Sequence, residues 1–132
     1  MKFNFTSQIC TTKEQSERLL ALGLKRETSD MHHYKWSEGY WDIQACPVRG
    51  SEPCYIPAWS LHRLKCLLSE KTPYGDGYLT VEIINENVYI VLVIENVEQR
   101  VLKYTKGNLY DNLISCINFF VKDSLFNKEY LE

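Results

Sequence analysis

The chain has no long hydrophobic run. Its longest, Val88 to Ile94, has the length of a strand and falls far short of the ~20 apolar residues that a membrane helix needs. The opening residues, Met1-Lys2-Phe3-Asn4-Phe5-Thr6-Ser7-Gln8, lack the apolar stretch of a secretory signal. A soluble, cytoplasmic protein without a membrane partner is therefore expected. No charge of one sign dominates. Fifteen basic residues face 17 acidic ones, for a net charge of −2, which speaks against a broad phosphate-binding face and disfavours nucleic acid as a partner. Four prolines and six glycines are too few for a collagen-like or low-complexity chain. The five cysteines, Cys10, Cys46, Cys54, Cys66 and Cys116, are odd in number and form no C-x-x-C pair, so a disulfide framework is not indicated. Reduced thiols are expected; the one pairing weighed against this is Cys46 with Cys54, across the loop containing Pro47 and Pro53.

What is present is ordinary globular material with one excess. The 132 residues are 45% hydrophobic and 24% charged. A chain of this length reads as one domain, and it can bury roughly 65–70% of its unfolded surface without a metal or a disulfide. The excess is aromatic: 13%, with nine tyrosines and three tryptophans.

The periodicity predicts a helix over Lys13 to Leu22. Thr12 and Gln15 stand three apart as a capping box requires, and Gly23 is a left-handed stop. Residues 33–37 and 40–44 read as two short strands around the turn Ser37-Glu38-Gly39. Residues 45–57, with three prolines and a glycine, read as a loop. A second helix follows Pro57, with Trp59, Leu61, Leu64, Leu67 and Leu68 at helical spacing. The segment Thr72 to Gly77 reads as a loop. Residues 78–84 and 88–94 are rich in β-branched and aromatic residues and predict two strands joined by Asn85-Glu86-Asn87. A weaker third strand follows at about 99–105, after a turn at Glu95-Asn96. Asn108 caps a last helix with Asp111 at its third position, ending near Lys122-Asp123. The expected fold is α+β. Its antiparallel sheet is a three-stranded meander plus a short hairpin, with three amphipathic helices packed mainly on one face.

Few residues form a constellation for chemistry. His32, His33 and His62 with Cys46 and Cys54 would make a conceivable zinc set, but the cysteines are eight apart and the histidines adjacent. Neighbours along a strand point to opposite faces, so no metal site is assigned. Cys54 with His32 or His33 is the one nucleophile–base pair that can be written, and no signature or G-x-S-x-G elbow surrounds it. Glu38, Asp42 and Glu52 lie near the aromatic segment and read as solvated charges. Gly75-Asp76-Gly77 lacks the third glycine and the following helix of a phosphate loop. No catalytic residue and no cofactor is assigned.

The aromatic segment remains. Six of the seventeen aromatic residues, Tyr34, Trp36, Tyr40, Trp41, Tyr55 and Trp59, crowd into positions 34–59. Trp59 is expected in the core. Tyr34, Trp36, Tyr40, Trp41 and Tyr55 are the candidate binding residues, because tryptophan and tyrosine combine large apolar area with a polar handle. Core packing is the competing role for Trp36 and Trp41, which would share a face if the hairpin turn were two residues long.

Three stretches add a resemblance. Thr11-Thr12-Lys13-Glu14-Gln15-Ser16-Glu17-Arg18-Leu19-Leu20 with Thr28-Ser29-Asp30-Met31 is one. Ile56-Pro57-Ala58-Trp59-Ser60-Leu61 is the second, and Tyr110-Asp111-Asn112-Leu113-Ile114 the third. Together they resemble short uncharacterised proteins of gut Bacteroides-type bacteria and their prophages or mobile elements. The resemblance implies an accessory protein of a phage or mobile element, and transfers no catalytic residue. The expected function is non-catalytic binding of another macromolecule, a protein, through the 34–59 stretch. The alternatives are a small hydrolase with a site in the 30–59 loops and a homo-oligomeric structural component that uses the 99–105 strand as an exposed edge.

Overall fold

The computed structural model describes residues 8–48, 50, 53–94, 98–105 and 107–132. Arg49, Glu52 and the expected turn at Glu95-Asn96 lie outside these, as does the segment 1–7. Among the described residues the fold is α+β, with three α-helices, two short 3-10 helices and two antiparallel sheets. The elements run α1 (Lys13–Ala21), β1 (Met31–Lys35), β2 (Trp41–Gln44), β3 (Tyr55–Ala58), α2 (Leu61–Leu67), β4 (Thr72–Tyr74), β5 (Gly77–Ile84), β6 (Asn87–Ile94), β7 (Glu98–Thr105) and α3 (Leu109–Lys122). One sheet has the order β2-β1-β3, the other β4-β5-β6-β7.

Helix starts follow from their caps. Thr12 accepts from the Gln15 N–H while the Gln15 side chain accepts from the Thr12 N–H, which satisfies two of the four orphan donors of the first turn. Ser60 and Asn108 accept from the N–H groups of Arg63 and Asp111 in the same way. Gly23 ends α1 with φ +99°, a conformation that side-chain-bearing residues resist.

Two elements differ from the sequence reading, for one physical reason. Residues 55–58 form a strand within and just beyond the expected loop, and residues 72–74 form another. Each contains a proline, Pro57 opposite His32 and Pro73 opposite Tyr78. Proline cannot donate to a ladder, but at a sheet edge its missing N–H lies on the unpaired side. β3 and β4 are both edge strands, so the prolines mark edges here and not loops. The hairpin is thus a three-stranded sheet, and the meander has four strands.

The core joins the helices to both sheets. Leu19 and Leu24 near α1, Trp59, Leu64 and Leu67 near or in α2, Leu79, Val88 and Ile90 of the larger sheet, and Leu113, Ile114, Ile117 and Phe120 of α3 form one buried cluster. The tail after α3 folds back: Phe126 is buried, and Leu131 bridges to Leu24.

At the junction the three resembling stretches meet. Thr11 donates its N–H to the Trp59 carbonyl (2.9 Å) and accepts from the Trp59 N–H through its hydroxyl (3.1 Å). The Trp59 indole N–H donates to the Thr28 hydroxyl at 3.0 Å. Asp30 accepts from the Ser60 N–H (2.9 Å) and hydroxyl (2.5 Å). Asp111 accepts from the Gln15 amide and pairs with Arg18. Polar groups that leave water are costly unless paired, and these are paired with one another. Cys10 is buried beside this network. Burial, and then the Asp30 charge, push its thiol up to about 11 from 9.0.

Candidate functional site

β1 is the central strand of the small sheet, and its register sorts the aromatic segment onto two faces. Tyr34 pairs with Asp42 on one side and with Tyr55 on the other, and His32 pairs with Gln44 and Pro57. His32, Tyr34, Gln44 and Tyr55 therefore share one face, here called the outer face. Met31, His33, Lys35 and Trp41 share the opposite face. The His33 Nε2–H donates to the Thr11 carbonyl at 2.8 Å, and the Lys13 ammonium lies 4.5 Å from the centre of the Trp41 ring. Both contacts come from the segment that begins α1, which lies over part of that face.

The turn explains why the two tryptophans separate. Lys35 is opposite Trp41, the Trp36 N–H donates to the Tyr40 carbonyl, and the Gly39 N–H donates to the Trp36 carbonyl. Three residues, 37–39, make the loop, with Gly39 at φ +98°, a length that needs a residue in left-handed conformation. Trp36 and Tyr40 consequently face each other on the outer side, one position away from Trp41 in strand parity. Trp36 and Trp41 would share a face only across a two-residue turn; the three-residue turn puts them on opposite faces.

The outer face carries a continuous row of rings. His32 and Tyr55 are 5.6 Å apart between ring centres, Tyr55 and Tyr34 5.1 Å, Tyr34 and Trp36 5.0 Å, and Trp36 and Tyr40 6.3 Å. Tyr34 meets Trp36 edge to face, while Trp36 and Tyr40 are nearly parallel, at 25°. These are the separations at which aromatic pairs attract. Exposure rises along the row: His32 is 5% exposed, Trp36 39% and Tyr40 57%. The row is thus rooted in the fold at one end and open to solvent at the other.

Beside the row lies a groove of about 340 Å³ lined by His32, Tyr34, Trp36, Gln44, Cys46 and Tyr55. His32 is fixed by a 2.8 Å hydrogen bond to the Cys46 carbonyl. A carbonyl can only accept, so Nδ1 carries the proton in that bond. Asp42 accepts from the Ile43 N–H and the Gln44 amide, which hold its carboxylate against its own strand.

Among the described residues, the metal and nucleophile–base pairings read from segment 32–54 do not come together. His32 and His33 are both buried, not exposed as loop histidines would be, and they face opposite sides. Among the described residues no three His, Cys, Asp or Glu side chains gather where a metal could sit. No disulfide joins any of the five cysteines, all of which are described. Among the described residues no hydrogen bond joins Cys54 to either imidazole, and the bond between His32 and Cys46 is to the carbonyl, not to the sulfur. Also among the described residues, no helix is long and apolar enough to cross a membrane.

Of the five candidate residues, then, Tyr34, Trp36, Tyr40 and Tyr55 come together, and Trp41 does not. His32, Gln44 and Cys46 belong to the site without having been assigned to it. The alternation His32-x-Tyr34-x-Trp36 is the signal that could have found His32, had the first strand been started one residue earlier. The fold and site define a small α+β domain with an aromatic-faced antiparallel sheet. No protein-family model, no curated protein and no solved structure matches the chain.

Proposed function

We propose that this chain is a non-catalytic binding protein and that its working surface is the outer face of the β2-β1-β3 sheet, which receives another protein. One observation carries the reading: the unbroken row His32–Tyr55–Tyr34–Trp36–Tyr40, anchored at its buried end and open at the other. Exposed Trp and Tyr on a rigid support give large contact area at low cost in side-chain entropy, which is why they dominate binding hot spots. Gln44 and Cys46 line the groove beside the row together with its rings. The Asp42 carboxylate keeps its charge beside the groove, so the face favours an apolar and hydrogen-bonding partner over a polyanion. The resemblance of the three junction stretches adds a setting, an accessory protein of a phage or mobile element that acts by binding.

The test is site-specific photo-crosslinking in cells that express the protein. A benzophenone amino acid in place of Tyr40 should capture one protein species, and the same group in place of Lys122 on α3 should not. Equal capture from both positions, or none from position 40, would remove the proposal.

A further inference from the structure

A second surface follows from the hydrogen-bond parity of the larger sheet. The β4–β5 hairpin closes on the two-residue turn Gly75-Asp76, with Tyr74 opposite Gly77. The pair that flanks such a turn is the hydrogen-bonded kind, so Gly77 and every second residue after it direct their N–H and C=O groups to the β4 side. The β5–β6 hairpin gives the same parity independently: Ile84 and Asn87 flank Asn85-Glu86, so Ile84, Glu82 and Thr80 direct theirs to β6. Leu79, Val81 and Ile83 therefore turn their backbones toward β4. β4 starts only at Thr72, opposite Leu79, because before it the chain leaves the sheet for α2. Among the described residues, no hydrogen bond reaches the outward N–H and C=O groups of Val81 or Ile83.

The space beside this bare edge is shaped. Val81 and Ile83 from β5, Leu68 and Ser69 at the end of α2, Leu113 of α3 and Lys65 line a groove of about 350 Å³. Its walls are apolar at the bottom, where Leu68 and Leu113 are buried, and Lys65 stands exposed at its rim. A strand laid against Val81 and Ile83 would gain up to four main-chain hydrogen bonds. Its side chain opposite either residue would point into the groove, and the side chain two positions away would lie on the same face.

We propose that the β5 edge at Val81–Ile83 is a strand-addition site for an extended peptide of another protein, with an apolar residue for the groove and, two positions away, an acidic residue for Lys65. Strand addition draws affinity from main-chain bonds and specificity from alternate side-chain pockets. A second copy of this chain is the poorer occupant. Two-fold antiparallel pairing of Val81–Ile83 with itself would set Glu82 directly opposite Glu82, and like charges so placed repel. The proposal is independent of the aromatic face.

The experiment pans displayed seven-residue peptides, randomised around an apolar-x-acidic centre, against the full chain. The selected peptides are then read by amide exchange and nitrogen-15 chemical shifts. Enriched peptides should carry the centre, slow exchange of the Val81 and Ile83 amides about tenfold or more, and bind Lys65→Glu about fivefold more weakly. Val81→Pro, which removes an outward N–H at an edge where proline is tolerated, should abolish binding; if it fails to fold, Lys65→Glu and the exchange pattern decide alone. Absence of enrichment overturns the proposal. So do peptides that protect residues 32–36 and 55 instead, or a dimer of the free chain that protects Val81 and Ile83.

Discussion

Trp36 and Trp59 should differ sharply in what their removal costs, although both belong to the same aromatic crowding. Trp59 is fully buried, and its indole N–H donates to the Thr28 hydroxyl at 3.0 Å. Truncating a buried tryptophan to alanine costs about 3–5 kcal/mol. The lost hydrogen bond adds about 1 kcal/mol, for about 4–6 kcal/mol in Trp59→Ala. A domain of this kind has about 5–15 kcal/mol in total, so the variant should be close to unfolding. Trp36 is 39% exposed and touches two rings, Tyr34 at 5.0 Å and Tyr40 at 6.3 Å. Surface aromatic pairs contribute about 0.5–1 kcal/mol each, partly regained by hydration, so Trp36→Ala should cost about 1 kcal/mol. At about 4 °C per kcal/mol for a chain of this size, thermal melts followed by far-UV circular dichroism should drop by about 4 °C for Trp36→Ala and by about 20 °C for Trp59→Ala. A loss in Trp36→Ala equal to that in Trp59→Ala would show that the ring is core, and the reasoning would fail.

Further outcomes follow from single sites. Gly77→Ala should cost about 2–3 kcal/mol in urea denaturation, because a Cβ there collides with the carbonyl oxygen of Val93 on the neighbouring strand; a neutral substitution would mean that the β4–β5 hairpin shifts freely. Asp30→Ala should cost about 2 kcal/mol by the same measurement, since it strips partners from the Ser60 N–H and hydroxyl, while Asp30→Asn keeps one acceptor and should recover about half. Stability should also fall with alkali. Cys10 titrates at about 11 in the fold against 9.0 ordinarily, so the folded state holds this proton more tightly; the contribution is full below pH 9 and is lost as pH rises toward 11. Tyr110, raised by its burial and by the Cys10 charge, acts in the same direction. Cys10→Ala should flatten the decline between those limits, and an unchanged slope would contradict the assignment.

Much of the fold was legible because its signals are local. Capping at Thr12, Ser60 and Asn108, the stop at Gly23 and the β-branched runs of β5 and β6 all act within a few residues. The misread parts depend on distant partners. Pro57 and Pro73 say "not a central strand", and only the neighbouring strand β1 or β5 turns that into an edge. The site was legible in composition and not in sidedness. Trp36 and Trp41 are five apart, and which face each takes hangs on a turn of three residues, not two. A change of one residue in that turn inverts the parity of everything beyond it. The histidines were hidden for a similar reason: His33 is held by Thr11 and His32 by Cys46, and neither contact can be read from their place in the chain.

The most direct test of the binding face is the affinity of the protein captured from position 40 for two variants, each first shown to be folded. Trp36 lies on the outer face and Trp41 on the opposite face, beside Lys13 of α1. A hot-spot ring is worth about 2 kcal/mol or more, or about thirtyfold in Kd. Calorimetric titration should therefore show a loss of about thirtyfold for Trp36→Ala and less than about threefold for Trp41→Ala. Equal losses in the two variants, or the larger loss in Trp41→Ala, would contradict the account.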